Sequence, residues 1–130
     1  MKQEDKELLL KDLCGRLPYG VKMNHIADNE HSPKTLIGIA KDMITLEGPG
    51  GYECVNVEHY KPYLFPMSSM TGDEVLEYIS LKESIIDNDG ISYHFETYES
   101  INWLIKNHFD YQGLIEKGLA LDATGLNIYD

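Results

Sequence analysis

Apolar and polar positions change their period several times along the chain, and each change predicts an element. Leu9, Leu10, Leu13, Cys14 and Leu17 follow the i, i+3, i+4 spacing of one buried face and predict a helix over 4–14. Glu4, Asp5 and Glu7 suit the positive end of its dipole, Gly15 is a stop signal, and Pro18 forbids continuation. Tyr19, Val21 and Met23 then alternate with Gly20, Lys22 and Asn24, the period of a half-buried strand. After a polar loop over 27–34, two β-rich runs over 35–41 and 43–47 predict either a hairpin or one long bent strand. Gly48, Pro49, Gly50 and Gly51 form the strongest turn signal, and a further strand is predicted over 52–59. Pro62 and Pro66 predict that Tyr63, Leu64 and Phe65 stay extended but outside a central ladder. Tyr60, Tyr63 and Phe65 read as plugs between this sheet and the next helix.

Thr71 and Glu74 have capping-box spacing and open a helix predicted to reach Leu81 and to bury Val75, Leu76 and Ile79. Asp87, Asn88, Asp89 and Gly90 predict a turn, and Ile91, Tyr93 and Phe95 alternate as a strand. Thr97 caps a predicted helix over 98–108, with Ile101, Leu104, Ile105 and His108 on one face. Asp110 is placed to cap a short helix ending at Gly118 that buries Leu114 and Ile115. The tail from Leu126 to Tyr129 is either a last strand or an extended packed segment. The fold class is therefore α+β in one domain over 1–130. It comprises an N-terminal helix, a small antiparallel sheet of three to five strands, and two or three C-terminal helices packed on it.

Composition narrows the functional classes. At 130 residues with 42% hydrophobic and 25% charged, the chain has the balance of one soluble globular domain. No apolar run approaches the roughly 18–20 residues of a membrane helix, and the charged start has no signal-peptide core behind it, so a cytoplasmic location is expected. The net charge is −11, and it is unevenly spread. Residues 1–65 hold 8 basic and 10 acidic side chains, whereas residues 66–130 hold 3 basic and 12 acidic. Such a field disfavours nucleic acid and anionic membranes, solubilises the chain, and suits a protein partner with a basic surface. Cys14 and Cys54, the only cysteines, read as small buried hydrophobes with no disulfide required by their spacing.

No motif for catalysis, cofactor or metal emerges. The five histidines form no H-x-H, H-x-x-x-H or H-E-x-x-H group, so zinc-ligand spacing is absent. Asp87, Asp89 and Glu96 partly match a calcium loop, but Ile85 stands where an acidic residue is needed, and a β-turn is favoured. The glycines at 48–51 lack the Lys-Ser or Lys-Thr of a P-loop, and Cys54 and His59 would point to opposite faces of a strand. Trp103, Phe109 and Tyr111 cannot all enter the face that buries Ile101, Leu104 and Ile105. They are the candidate interaction surface, aromatic anchors beside Asp110 and Glu116.

Three stretches, KDLCGRLPYGVK over 11–22, KPYLFPMSSMT over 61–71 and NHFDYQGLIEKGLA over 107–120, resemble a family of short uncharacterised bacterial proteins often associated with prophages or mobile elements. The resemblance implies a bacterial cytoplasm and a small protein that acts by binding another; it transfers no catalytic residue. The functional expectation is a non-enzymatic interaction or accessory module. Two alternatives stand beside it: a small hydrolase or transferase with a site assembled from scattered residues, and an acidic decoy that mimics nucleic acid.

Overall fold

In the computed structural model, which describes residues 1–129, helix α1 spans Gln3–Arg16 and runs through Gly15 rather than stopping before it. The reason is at its last turn, where Arg16 bonds back to Asp12 and leads into a 3-10 turn over Leu17–Tyr19. Pro18 opens that turn, where a missing N–H costs nothing, and Gly20 ends it at φ 69°. Leu9 and Leu13 are buried, Leu10 and Leu17 half-buried. Cys14 and Cys54 are both exposed, contrary to the sequence reading. Cys14 is one position past Leu13, about 100° round the helix, and Cys54 pairs with Thr45 on the outer strand of the sheet.

The sheet has six strands in the order β4-β3-β2-β1-β5-β8, more than the sequence predicts. β1 (Lys22–His25), β2 (Lys34–Ala40), β3 (Met43–Gly48), β4 (Gly51–Asn56) and β5 (Tyr60–Leu64) are antiparallel neighbours. The β2–β3 hairpin turns at Lys41, φ 57°, and β3–β4 turns at the predicted glycines. A 3-10 turn over Val57–His59 replaces the end of the predicted strand, capped by the Asn56 side chain. β5 lies inside the sheet, not outside the ladder as the prolines suggested, and β8 (Leu121–Asp122) joins it in parallel. β8 pairs only with Tyr63 and Leu64, so Pro62 has a neighbouring strand on one side only, and its missing N–H is tolerated. Leu9 and Leu13 from α1 meet Met23, Leu36, Ile44, Leu46 and Leu64 to form the main core.

The rest of the chain forms a second region. Helix α2 (Gly72–Ser80) has the predicted capping box, but Tyr78 is the residue it buries. Val75, Leu76 and Ile79 are 37%, 69% and 39% exposed, a correction to the sequence reading. Tyr78 anchors α2 by stacking on Trp103 of α3 (Tyr98–Lys106), while α1 fills the core of the sheet, so no element covers the apolar stripe. Between them β6 (Glu83–Ile86) and β7 (Ser92–Phe95) form a separate two-stranded hairpin. Its turn is the predicted one: Asp87 Oδ1 accepts from the N–H of Asp89 and Ile91, and Gly90 takes φ 79°. Thr97 caps α3 with Ser100 as its partner, and α3 stops short of 108 because His108 adopts φ 66°. Residues 110–118 form turns instead of the predicted short helix, although Asp110 still accepts from the N–H of Leu114 and Ile115.

Candidate functional site

The most heavily buried polar groups belong to the scaffold. Arg16, fully buried, reaches Asp12 Oδ2 at 2.6 Å and donates to the Phe109 carbonyl at 2.7 Å. Gln112 adds a donor to Asp12 Oδ1 at 3.1 Å. Burial pushes the Asp12 carboxyl up, and the Arg16 guanidinium opposes that push. Next to this pair His108 stacks on Tyr129, whose hydroxyl donates to the Tyr63 carbonyl at 2.6 Å and accepts from the Lys22 N–H. Burial, with Arg16 and Lys22 nearby, lowers the His108 pKa to about 4, so the ring is neutral at pH 7. Phe65 N–H donates to the His108 carbonyl, and Asp110 N–H to the Phe65 carbonyl. Residues of the stretches 11–22, 61–71 and 107–120 therefore meet here, and what they build is the junction between the two regions.

Trp103, Phe109 and Tyr111 sit at that junction. Phe109 is buried, and Trp103 stacks with Tyr78 at 5.8 Å and with Phe109 at 5.6 Å between centroids. Tyr111 is half-buried with the Arg16 guanidinium 5.8 Å from its ring. Trp103, like Tyr111, is half-buried. Among the described residues no group of three or more His, Cys, Asp or Glu side chains could hold a metal ion. A groove of about 550 Å³ lies on the outer face of α1 and is lined by Leu8, Leu10, Lys11, Cys14 and two glutamates. Histidines do converge on a small pocket of about 160 Å³ beside Asn24, Asp28 and Lys61. There His31 Nδ1 lies 2.5 Å from the Tyr63 hydroxyl, and Asp28 is occupied by the N–H of Glu30 and Ser32.

The exposed apolar side chains of the second region form the more distinctive feature. Leu76 and Ile79 on α2, Ile85 and Ile86 on β6, Ile91 just before β7, Tyr93 and Phe95 on β7, and Tyr98 at the start of α3 are all exposed. Ile86 reaches 70% and Tyr98 81%. In the hairpin Ile85 lies opposite Tyr93 and Glu83 opposite Phe95, so these four share one face. Ser84, Ile86, Ser92 and His94 share the other, with Ser84 Oγ 2.9 Å from His94 Nδ1. Residues 72–99 carry eight carboxylates and a single lysine, Lys82, most of the net charge of the chain.

The hairpin is fixed at its base and free beyond it. Glu96 accepts from the Tyr78 hydroxyl, from Ser100 Oγ at 2.7 Å, and from Lys82 at 3.2 Å. Against the upward push of burial, these partners hold its carboxyl below the usual range. Thr97 Oγ1 donates to the Leu81 carbonyl at 2.6 Å, closing the same junction between α2 and α3. Sequence reasoning placed Val75, Leu76 and Ile79 in the core because an exposed apolar stripe has the same spacing as a buried one. The density of carboxylates over 72–99 was the available signal. No family model, curated protein or solved structure matches the chain.

Proposed function

We propose that the protein is a non-enzymatic interaction module whose docking surface is the outer face of α2 together with the β6–β7 hairpin. The observation that carries this reading is the apolar patch over 75–98 inside an acidic surround. Side chains of this size expose on the order of 150–200 Å² each when free, so eight or nine of them about half exposed present several hundred Å². This surface is spread over α2 and both faces of the hairpin, and it is more than the singly scattered apolar side chains that are ordinary on a monomer. Carboxylates at the rim select a partner with lysine or arginine around an apolar centre, and they speed its encounter. No helix among the described residues is long and apolar enough to cross a membrane.

The test uses a photo-crosslinking amino acid at Ile86, with the same group at Lys11 on α1 as control. The captured protein is then purified and titrated against the wild type and a Leu76→Ser, Ile86→Ser variant. Binding that weakens tenfold or more, which is about 1.4 kcal/mol, with melting unchanged supports the reading. Equal binding by the variant, or capture at Lys11 alone, rejects it.

A further inference from the structure

We propose that the β6–β7 hairpin receives a third β-strand from its partner, an extended segment in which apolar residues alternate with lysine or arginine. This rests on the docking surface just described and adds the mode of binding.

The backbone argues for a strand. The Asp87 N–H donates to the Ile91 carbonyl, which closes the hairpin and sets the alternation above it. Ile85–Tyr93 and Glu83–Phe95 are then the hydrogen-bonded pairs. The N–H and C=O groups of Ser84 and Ile86 on β6, and of Ser92 and His94 on β7, point outward. Among the described residues none of them has a backbone partner outside the hairpin. Beyond its own pairing the hairpin makes no extensive contact with another element. Two isolated strands of four residues are marginal in water, and a third strand or a packed helix is what stabilises such a ribbon. Proteins usually blunt an open edge with proline, lysine, a bulge or a cover. Here β6 and β7 contain no proline and no lysine, and the face they share carries Ile85, Tyr93 and Phe95. Main-chain bonds to an added strand would supply affinity, and these side chains would select its apolar positions.

The charge argues for a basic occupant. Glu83, Asp87, Asp89, Glu96 and Glu99 surround the hairpin, with Lys82 already bound to Glu96. A second copy would bring the same carboxylates against them, and like charges placed opposite one another destabilise strand pairing.

The probe is a synthetic peptide of about six residues, a usual strand length, alternating isoleucine and lysine. It is titrated into the full chain to about 1 mM, the weak limit of specific binding, and amide exchange is followed by NMR. The expected result is at least tenfold slower exchange at Ser84 and Ile86, or at Ser92 and His94, according to the edge used. N-methylation of alternate peptide amides should abolish it, and an isoleucine–glutamate peptide should not produce it. Binding that perturbs Leu76 and Ile79 but leaves those amides unprotected, or that survives N-methylation, overturns strand addition while the docking surface stands. Absence of any shift over 75–98, with this peptide and with a basic amphipathic helical peptide, overturns both. Protection that grows with protein concentration alone assigns the edge to a second copy and overturns the basic partner.

Discussion

Isoleucine and leucine meet opposite fates in the two regions. In the sheet with α1, Leu9, Leu13, Leu36, Ile44 and Leu46 lose almost all contact with water. In the second region Leu76, Ile85, Ile86 and Ile91 remain about half exposed or more, on a helix and a hairpin that hold together through their ends. The first region also tolerates a buried ion pair, because Arg16 finds Asp12 and a carbonyl in the dry interior. The second keeps its charges at the rim. Apolar surface of the first kind is buried in the core, whereas surface of the second kind stays in water. That contrast is why the exposed patch reads as a place where something else packs.

Arg16→Ala should be the most damaging change, because it leaves Asp12 buried and uncompensated, at about 3–5 kcal/mol. Chemical unfolding checks it, and a loss below about 1 kcal/mol would mean that water reaches the pair. Leu13→Ala should cost about 2–5 kcal/mol through the cavity it leaves between α1 and the sheet. A melting curve indistinguishable from wild type would deny that packing. Trp103→Ala should cost about 3 kcal/mol, since it interrupts the stack from Tyr78 to Phe109. If stability is kept while partner binding is lost, Trp103 belongs to the docking surface after all.

Acid should strain the junction selectively. The unfolded chain accepts a proton on His108 near its ordinary value of 6.5, but the folded protein resists it down to about 4. The neutral ring therefore contributes stability above 6.5, and that contribution falls away as pH drops from 6.5 to 4. For a ring still partly exposed the loss is about 1–2 kcal/mol after solvent screening. His108→Asn tolerates the positive φ and should flatten the dependence. An equally steep variant would place the acid sensitivity elsewhere. The smallest effects belong to the patch: Leu76→Ser and Ile86→Ser should each shift stability by no more than about 0.5 kcal/mol. A larger loss would show that the hairpin and α2 are needed to hold the second region together.

Local chemistry was legible before any coordinates. The capping residues Thr71 and Thr97, the glycines at 48–51 and the turn at 87–90 act within a few bonds of themselves, so their roles survive in any tertiary setting. The sequence also determined the α+β class, the N-terminal helix, and the buried side of α1 at Leu9 and Leu13. The tertiary structure decided what stood on the other side of each apolar stripe. Periodicity fixes how Val75, Leu76 and Ile79 point relative to one another. Whether they meet a core or water depends on α1 having already filled the sheet. Likewise Arg16 and Cys14 lie two residues apart, and only the arrival of Phe109 from a distant part of the chain buries the cation while the thiol stays wet. The parallel pairing of β5 with β8 joins Tyr63 to Leu121 across a long loop. Closing such a loop is a property of the whole chain, and no local pattern records it.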